Sequence, residues 1–192
     1  MGRKVLVVLG HPRIDSYCGA LATAYATGAA GAGHDVRRLD LAESEFDPVV
    51  RLTSAKDQPT EPEIIRSREL IEWCEHLVLV YPTWWGTTPA LLKGWFDRVF
   101  VSDWAFRTRE DSPLWDGLLG GRSARIITTM DAPPWAHRLL FGAPGVKAIK
   151  YATLRFCGIK PVKTKLIGSV KGSTPSRREK WLSSVERLGA VD

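Results

Sequence analysis

YPTWWGTTPALLKGWFDRVF, residues 81–100, is the stretch around which the chain is organised. Just before it, His76 to Val80 (HLVLV) has the length and β-branched content of a strand covered on both faces. Pro89 suits the first residue of a helix, where its missing N–H is harmless. Leu91, Leu92, Trp95, Phe96, Val99 and Phe100 then recur at three- and four-residue spacing, with Lys93, Asp97 and Arg98 on the other side. Trp84 and Trp85 therefore fall in a loop at the carboxyl end of a buried strand. Open α/β sheets bind ligands at that end.

Working outward, Lys4 to Leu9 (KVLVVL) reads as a first central strand, followed by the loop Gly10 to Ser16 (GHPRIDS). A helix is expected from Tyr17 to about Ala32, with Ser16 or Asp15 as its N-cap. Val36 to Leu39 is a second strand, and Asp40 to Pro62, which contains FDPV, reads as an irregular excursion. Glu61 to Glu75 is a helix leading into the third strand. Beyond the opening motif, Ser102 to Arg122 reads as a long connection holding Trp104, Phe106 and Trp115, and a connection of that size is usually functional or an interface. Ser123 to Thr129 is a fourth strand, then MDAPPWAHRLLFGAPG forms an aromatic, Pro-rich loop. Val146 to Cys157 is expected to be helical, Thr164 to Val170 a fifth strand, and Thr174 to Leu188 the last helix.

Strand and helix thus alternate five times, which predicts one α/β domain over residues 1–192, with a doubly wound parallel sheet of order 2-1-3-4-5. In that order the switch point lies between strands one and three. The loops leaving those strands are GHPRIDS and PTWWGTT, the two that composition also marks.

The 192 residues are 44% hydrophobic and 25% charged, enough for a core without disulfides or metals. The net charge of +6 is read as scattered basic surface, not as a nucleic-acid stripe. Cys18, Cys74 and Cys157 form no CxxC pair and give no zinc site, which suggests a reducing compartment. No run approaches a membrane span and the apolar start ends in His-Pro without a cleavage site, so the cytoplasm is the default location.

A helix beginning at Tyr17 aims its free N–H groups at the first loop, and Ser16, His11 and Arg13 add donors for one phosphate. Neither GxGxxG nor a P-loop spacing is present. The second loop offers backbone N–H groups and flat aromatic faces for a planar heteroaromatic ring. Phosphate plus planar ring implies flavin mononucleotide or a relative, with the flavin as the reactive group. The ordinary readings stand beside these: His11 as a loop histidine, Ser16 as a helix cap, Arg13 as a solvated side chain, and Trp84 and Trp85 as core or interface residues.

At these residues the chain resembles the NAD(P)H:quinone oxidoreductase family, flavodoxin-like flavoenzymes. The likeness runs through GHPRIDSY, FDPV, LVLVYPTWWGTTPALLKGWFDRVF, DWAF and ITT. It implies that His11, Ser16 and Tyr17 lie on the flavin phosphate side, with Cys18 where many relatives have Asn. Pro82, Thr83, Trp84 and Trp85 would line the ring, with Gly86 close by. Thr128 and Thr129 match the start of a TTGG loop whose glycines are here Met130 and Asp131. Trp104 and Phe106 correspond to aromatics that approach a partner subunit's flavin, implying a homodimer, and Phe106 and His137 are candidates for a catalytic role. The resemblance further implies NAD(P)H as hydride donor, FMN or FAD as cofactor, and ping-pong transfer to a quinone-type acceptor; with no second, adenosine-binding signature in the sequence, FMN is favoured over FAD. Open alternatives are a nitro or azo compound as acceptor, a flavin-bearing regulatory or electron-carrier module, and a basic nucleic-acid-binding protein.

Overall fold

The structure, a computed structural model, describes residues 2–192. Its strands are β1 (Lys4–Leu9), β2 (Asp35–Asp40), β3 (His76–Pro82), β4 (Phe106–Thr108), β5 (Trp115–Gly117), β6 (Ser123–Thr129) and β7 (Val162–Ile167). Its helices are α1 (Tyr17–Gly31), α2 (Pro62–Trp73), α3 (Ala90–Val99), α4 (Pro134–Leu139), α5 (Pro144–Lys147), which runs into a π-helix (Ala148–Arg155), and α6 (Pro175–Val191). Five strands form one parallel sheet of order β2-β1-β3-β6-β7. This is the expected topology, with β6 and β7 as its fourth and fifth strands.

The apolar runs alternate across the sheet as a two-sided core requires. Val5, Val7 and Leu9 of β1 pack with Leu21, Ala22 and Tyr25 of α1 and Val185 of α6. Leu6 and Val8 face the other way, toward Ile64 and Ile71 of α2 and Leu92 and Trp95 of α3. Ser16 caps α1 by accepting the Gly19 N–H at 3.1 Å.

Several local expectations are corrected. The Ser102–Arg122 connection is not structureless: β4 and β5 pair antiparallel in it. Trp115 holds this hairpin down, stacking on Phe156 at 4.3 Å and donating its Nε1–H to the Phe156 carbonyl at 2.8 Å. The aromatic loop after β6 contains α4, and Pro89 is the N-cap of α3, not its first residue. Arg98, expected on the solvent side of α3, is 1% exposed. Its Nη1 reaches the Asp47 carbonyl at 2.6 Å and Glu61 at 3.0 Å, and its Nη2 reaches the Pro59 carbonyl and Glu61, both at 2.7 Å. The guanidinium thereby ties the 40–62 excursion to α3.

Gly94 serves the same docking. A Cβ there would lie 2.3 Å from Pro48 Cβ and 2.6 Å from the Pro48 carbonyl oxygen, so FDPV sits directly on the helix backbone. Gly94→Ala is expected to destabilise the fold by about 1–3 kcal/mol in urea unfolding, because the obstacle includes backbone. A change near zero would mean that the excursion lifts off freely.

At the end of the sheet opposite the carboxyl ends of its strands, the Asp192 side chain is buried and accepts from Arg125, from Lys163 at 2.9 Å and from Tyr25 at 3.1 Å. Burial opposes ionisation of Asp192, but the hydrogen bonds from Arg125 and Lys163 prevail and hold it below the usual carboxylate range. His76 lies beside it, with Nδ1 2.7 Å from Ser123 Oγ and Nε2 without a hydrogen-bond partner. Burial lowers its pKa to about 4 despite the nearby Asp192. Between its ordinary value of 6.5 and about 4, the unfolded chain binds a proton that the folded one does not. Stability therefore falls as pH drops through that window, by about 2 kcal/mol at pH 5 from this residue. Urea midpoints measured across the window should show this loss, and His76→Gln should remove most of it.

Candidate functional site

The loops leaving β1 and β3 open side by side. Gly10 N–H donates to the Val80 carbonyl at 2.8 Å, continuing the β1–β3 pairing to the brink of both loops. His11 and Trp84 then meet edge to face, with ring centroids 5.7 Å apart. The crevice expected at the switch point is thus framed by one residue from each loop.

In the first loop, His11 Nδ1 accepts the Arg13 N–H at 2.9 Å. That bond leaves the neutral ring its proton on Nε2. Burial lowers the His11 pKa, outweighing the stabilising backbone bond, so the ring is neutral at pH 7 and offers an N–H donor. Gly19 N–H is satisfied by Ser16 Oγ and Ala20 N–H by the Ser16 carbonyl. The amides of Tyr17 and Cys18, the first two of α1, have no acceptor among the described residues. With the positive end of the helix behind them they suit an anion. The Ser16 hydroxyl keeps its proton free to donate. Arg13 is exposed and lies 3.9 Å from Asp15.

Two residues of this loop turn their side chains elsewhere. Tyr17 donates its hydroxyl to the Arg178 carbonyl at 3.0 Å and packs 6.4 Å from the Trp181 ring. Cys18 is buried, with Sγ 3.3 Å from Thr129 Oγ1, and burial pushes its pKa up to about 11 despite that contact. Both contribute backbone N–H groups to the crevice, and the Cys18 thiol stays protonated.

In the second loop, Trp84 and Thr87 exchange backbone hydrogen bonds of 3.0 and 2.9 Å, closing a tight turn over Trp85 and Gly86. Both central residues have positive φ, 50° for Trp85 and 78° for Gly86. Glycine takes that conformation freely, whereas Trp85 is strained by roughly 1–2 kcal/mol. The Trp85 side chain is nonetheless fully exposed, and Trp84 is 44% exposed. The turn therefore holds an unfavourable backbone while presenting two bare indoles, and strain of that kind clusters at ligand sites. The Trp85 and Gly86 amides have no acceptor among the described residues. Pro82 is buried at the end of β3, and Thr83 anchors the turn through its N–H to the Thr129 carbonyl at 2.7 Å and its Oγ1 to Thr128 Oγ1 at 2.8 Å.

The third wall is the end of β6. Thr128 and Thr129 are buried beneath the crevice, joined to Thr83 and Cys18 as described. Met130 is buried with its N–H on the Ile167 carbonyl, and Asp131 Oδ1 accepts the Lys171 N–H at 3.0 Å. These two residues are held toward β7 and the segment after it. His137, named from the sequence as a catalytic candidate, is buried on α4 with Nε2 unpartnered. Phe106 packs on Phe156 at 4.9 Å and lines a largely apolar cavity of about 530 Å³ with Thr87, Thr88, Phe96 and Phe100. Trp104 donates its Nε1–H to Glu72 at 2.6 Å and packs edge-on against Phe100.

One participant carried no local signal in the sequence. Gly145 N–H donates to the Gly86 carbonyl at 3.1 Å, and a Cβ at Gly145 would lie 2.6 Å from Thr87 Cα. The start of α5 thus braces the tryptophan turn, a contact between distant segments that only the tertiary fold brings together.

Comparison with known proteins matches residues 3–188 to a family model described as the flavodoxin-like fold. The chain is 23% identical over 218 residues to NAD(P)H dehydrogenase (quinone) 1 of Rattus norvegicus, covering 97% of this chain and 77% of that protein. The crystal structure of Smu.1420 from Streptococcus mutans UA159 superposes with a TM-score of 0.87 at 33% identity, over 97% of this chain and 98% of that one. An FMN-dependent NADH-azoreductase from Bacillus anthracis str. Ames Ancestor, solved in complex with FMN, shares the fold at 17% identity and a TM-score of 0.75, over 99% and 98% of the two chains.

Proposed function

Because the chain belongs to the flavodoxin-like fold family, among the NAD(P)H:quinone oxidoreductase-like proteins, we propose that it is a flavin-dependent NAD(P)H oxidoreductase, carrying FMN in preference to FAD and passing electrons to a quinone-type acceptor by a ping-pong mechanism. One observation carries this reading: unused N–H donors and bare aromatic faces from two different loops converge on one crevice at the switch point. A phosphate and a planar ring would use all of them at once.

The residues present fit that group. The Tyr17 and Cys18 amides, the Ser16 hydroxyl and the His11 Nε2–H would hold the phosphate. The Trp85 and Gly86 amides would face the polar edge of the ring, and the Trp84 and Trp85 indoles would cover apolar faces. When bound, the flavin supplies the redox chemistry, taking a hydride from NAD(P)H and yielding two electrons to the acceptor. The protein's own part is positioning. The bonds from the Thr83 N–H to the Thr129 carbonyl and from the Gly145 N–H to the Gly86 carbonyl fix the turn, and Cys18, buried and protonated, is not a nucleophile. The apolar cavity beside Phe106 is the recess for a flat acceptor, and a homodimer in which Phe106 reaches the neighbouring flavin belongs to the same proposal.

Initial rates over a grid of NADH or NADPH and quinone concentrations test the mechanism. Parallel double-reciprocal lines are expected. Intersecting lines would refute ping-pong exchange, and absence of turnover with quinones, nitroaromatics and azo compounds would favour a flavin-bearing module. His11→Ala tests the phosphate side: FMN affinity should fall about tenfold, the value of one charge-assisted hydrogen bond, with riboflavin affinity unchanged. Equal losses for both would remove His11 from the phosphate site.

A further inference from the structure

The Tyr81 hydroxyl, buried near the end of β3, has no hydrogen-bond partner among the described residues. Its ring packs in the core on the α2 and α3 side of the sheet. In the parallel pairing of β3 with β6, Tyr81 stands beside Thr128, and Thr83, two residues on, projects to the same face. The Thr128 hydroxyl is the polar neighbour that offsets part of the rise that burial imposes on the Tyr81 pKa. On its other side Thr128 Oγ1 lies 2.8 Å from Thr83 Oγ1. Three hydroxyls thus form a row that starts in the core and ends at the crevice. Tyr81 and Thr128 are buried, and Thr83 is half-buried where β3 gives way to the tryptophan turn.

The row holds three hydroxyl protons, and among the described residues the hydroxyl oxygens themselves are the only acceptors for them. A buried hydroxyl proton without an acceptor is costly, so each proton is passed along the row. The phenol is the strongest donor and the poorest acceptor of the three, which sets the direction: Tyr81 donates to Thr128, and Thr128 donates to Thr83. The Thr83 oxygen has then accepted, and its own proton has no use inside the protein. We infer that the Thr83 hydroxyl, oriented by Tyr81 through Thr128, donates into the crevice, to an acceptor atom on the polar edge of the flavin ring. The inference rests on the flavin reading above. A fixed donor binds a more negative acceptor more strongly, so the row favours the reduced cofactor over the oxidised one. Tyr81 itself touches no ligand and is a positioning residue, acting through Thr83.

Two measurements test this, one of them without flavin. In the flavin-free protein Tyr81→Phe should lower the urea midpoint, because it removes a hydrogen bond. An equal or higher midpoint would show that the hydroxyl donates to nothing and would overturn the row. In the FMN-loaded protein the midpoint potential gives the ratio of affinities for reduced and oxidised FMN. Thr83→Val should shift that ratio about tenfold toward the oxidised form, a fall of about 30 mV for a two-electron couple, and Thr83→Ser should keep the parent value. Tyr81→Phe should shift it about threefold in the same direction. Combining Tyr81→Phe with Thr83→Val should give the value of Thr83→Val alone, since Tyr81 acts only through Thr83. The inference is overturned, with the flavin reading intact, if FMN is bound and reduced but Tyr81→Phe leaves the ratio at the parent value, or if the Tyr81→Phe shift persists when residue 83 is valine. A parent protein that retains no flavin overturns both.

Discussion

A protein in which Trp84 and Trp85 are both alanine is expected to hold FMN about a hundredfold or more weaker than the parent, since each aromatic stack on a flat heterocycle is worth about 1–3 kcal/mol. The two indoles contribute little to the fold: Trp85 is fully exposed and Trp84 is nearly half exposed, meeting the His11 ring at its edge. The thermal midpoint of the flavin-free protein should therefore scarcely move. Trp85→Gly sharpens the test, because glycine accepts the φ of 50° that tryptophan adopts under strain. This single change should raise the stability of the flavin-free protein by up to about 1 kcal/mol while weakening FMN. If Trp85→Gly leaves FMN binding as it was, the strained turn has no part in holding the ring.

Arg98→Ala should lower unfolding free energy by about 3–5 kcal/mol, the range for removing one partner of a buried ion pair. The guanidinium makes four hydrogen bonds, two to Glu61 and two to the carbonyls of Asp47 and Pro59, and its loss strands those acceptors. Arg98→Lys should recover only part of the loss, because an ammonium cannot bridge the same fork of acceptors. Urea unfolding measures the effect. FMN affinity of the folded fraction should be unchanged, since Arg98 ties down the 40–62 excursion and not the tryptophan turn. A loss below about 1 kcal/mol would mean that the excursion is held by its packing on Gly94 and not by the Arg98 bonds.

The contrast between these two replacements shows what the sequence made legible. The sheet order could be read because KVLVVL, HLVLV and SARIITT are apolar enough to be covered on both faces and the first helix carries a recognisable cap at Ser16. The two loops that frame the crevice could be read because they follow the first and third of those strands. Helical periodicity misplaced Arg98, since spacing assigns a charged residue to solvent and gives no sign of a buried carboxylate from a distant loop. The motif from Pro89 to Phe100 is accordingly more structural than functional: Trp95 donates to Ser67 at 3.0 Å, Gly94 receives Pro48 and Arg98 clamps Glu61. The hairpin of β4 and β5 escaped notice because each strand has three residues and tertiary aromatic packing holds it. At the crevice, the sequence pointed to residues that the fold brings together but not to the atoms they present. Tyr17 and Cys18 supply amides while their side chains face Arg178 and Thr129.

The central claim is that the β1–β3 crevice holds a flavin that nicotinamides reduce, and anaerobic rapid mixing tests it most directly. The protein, equilibrated with FMN and freed of excess, should be yellow, and its visible absorbance should bleach when NADH or NADPH is added and return when a quinone follows. A protein that retains neither FMN nor FAD, or whose bound flavin keeps its colour with both nicotinamides, would contradict the account.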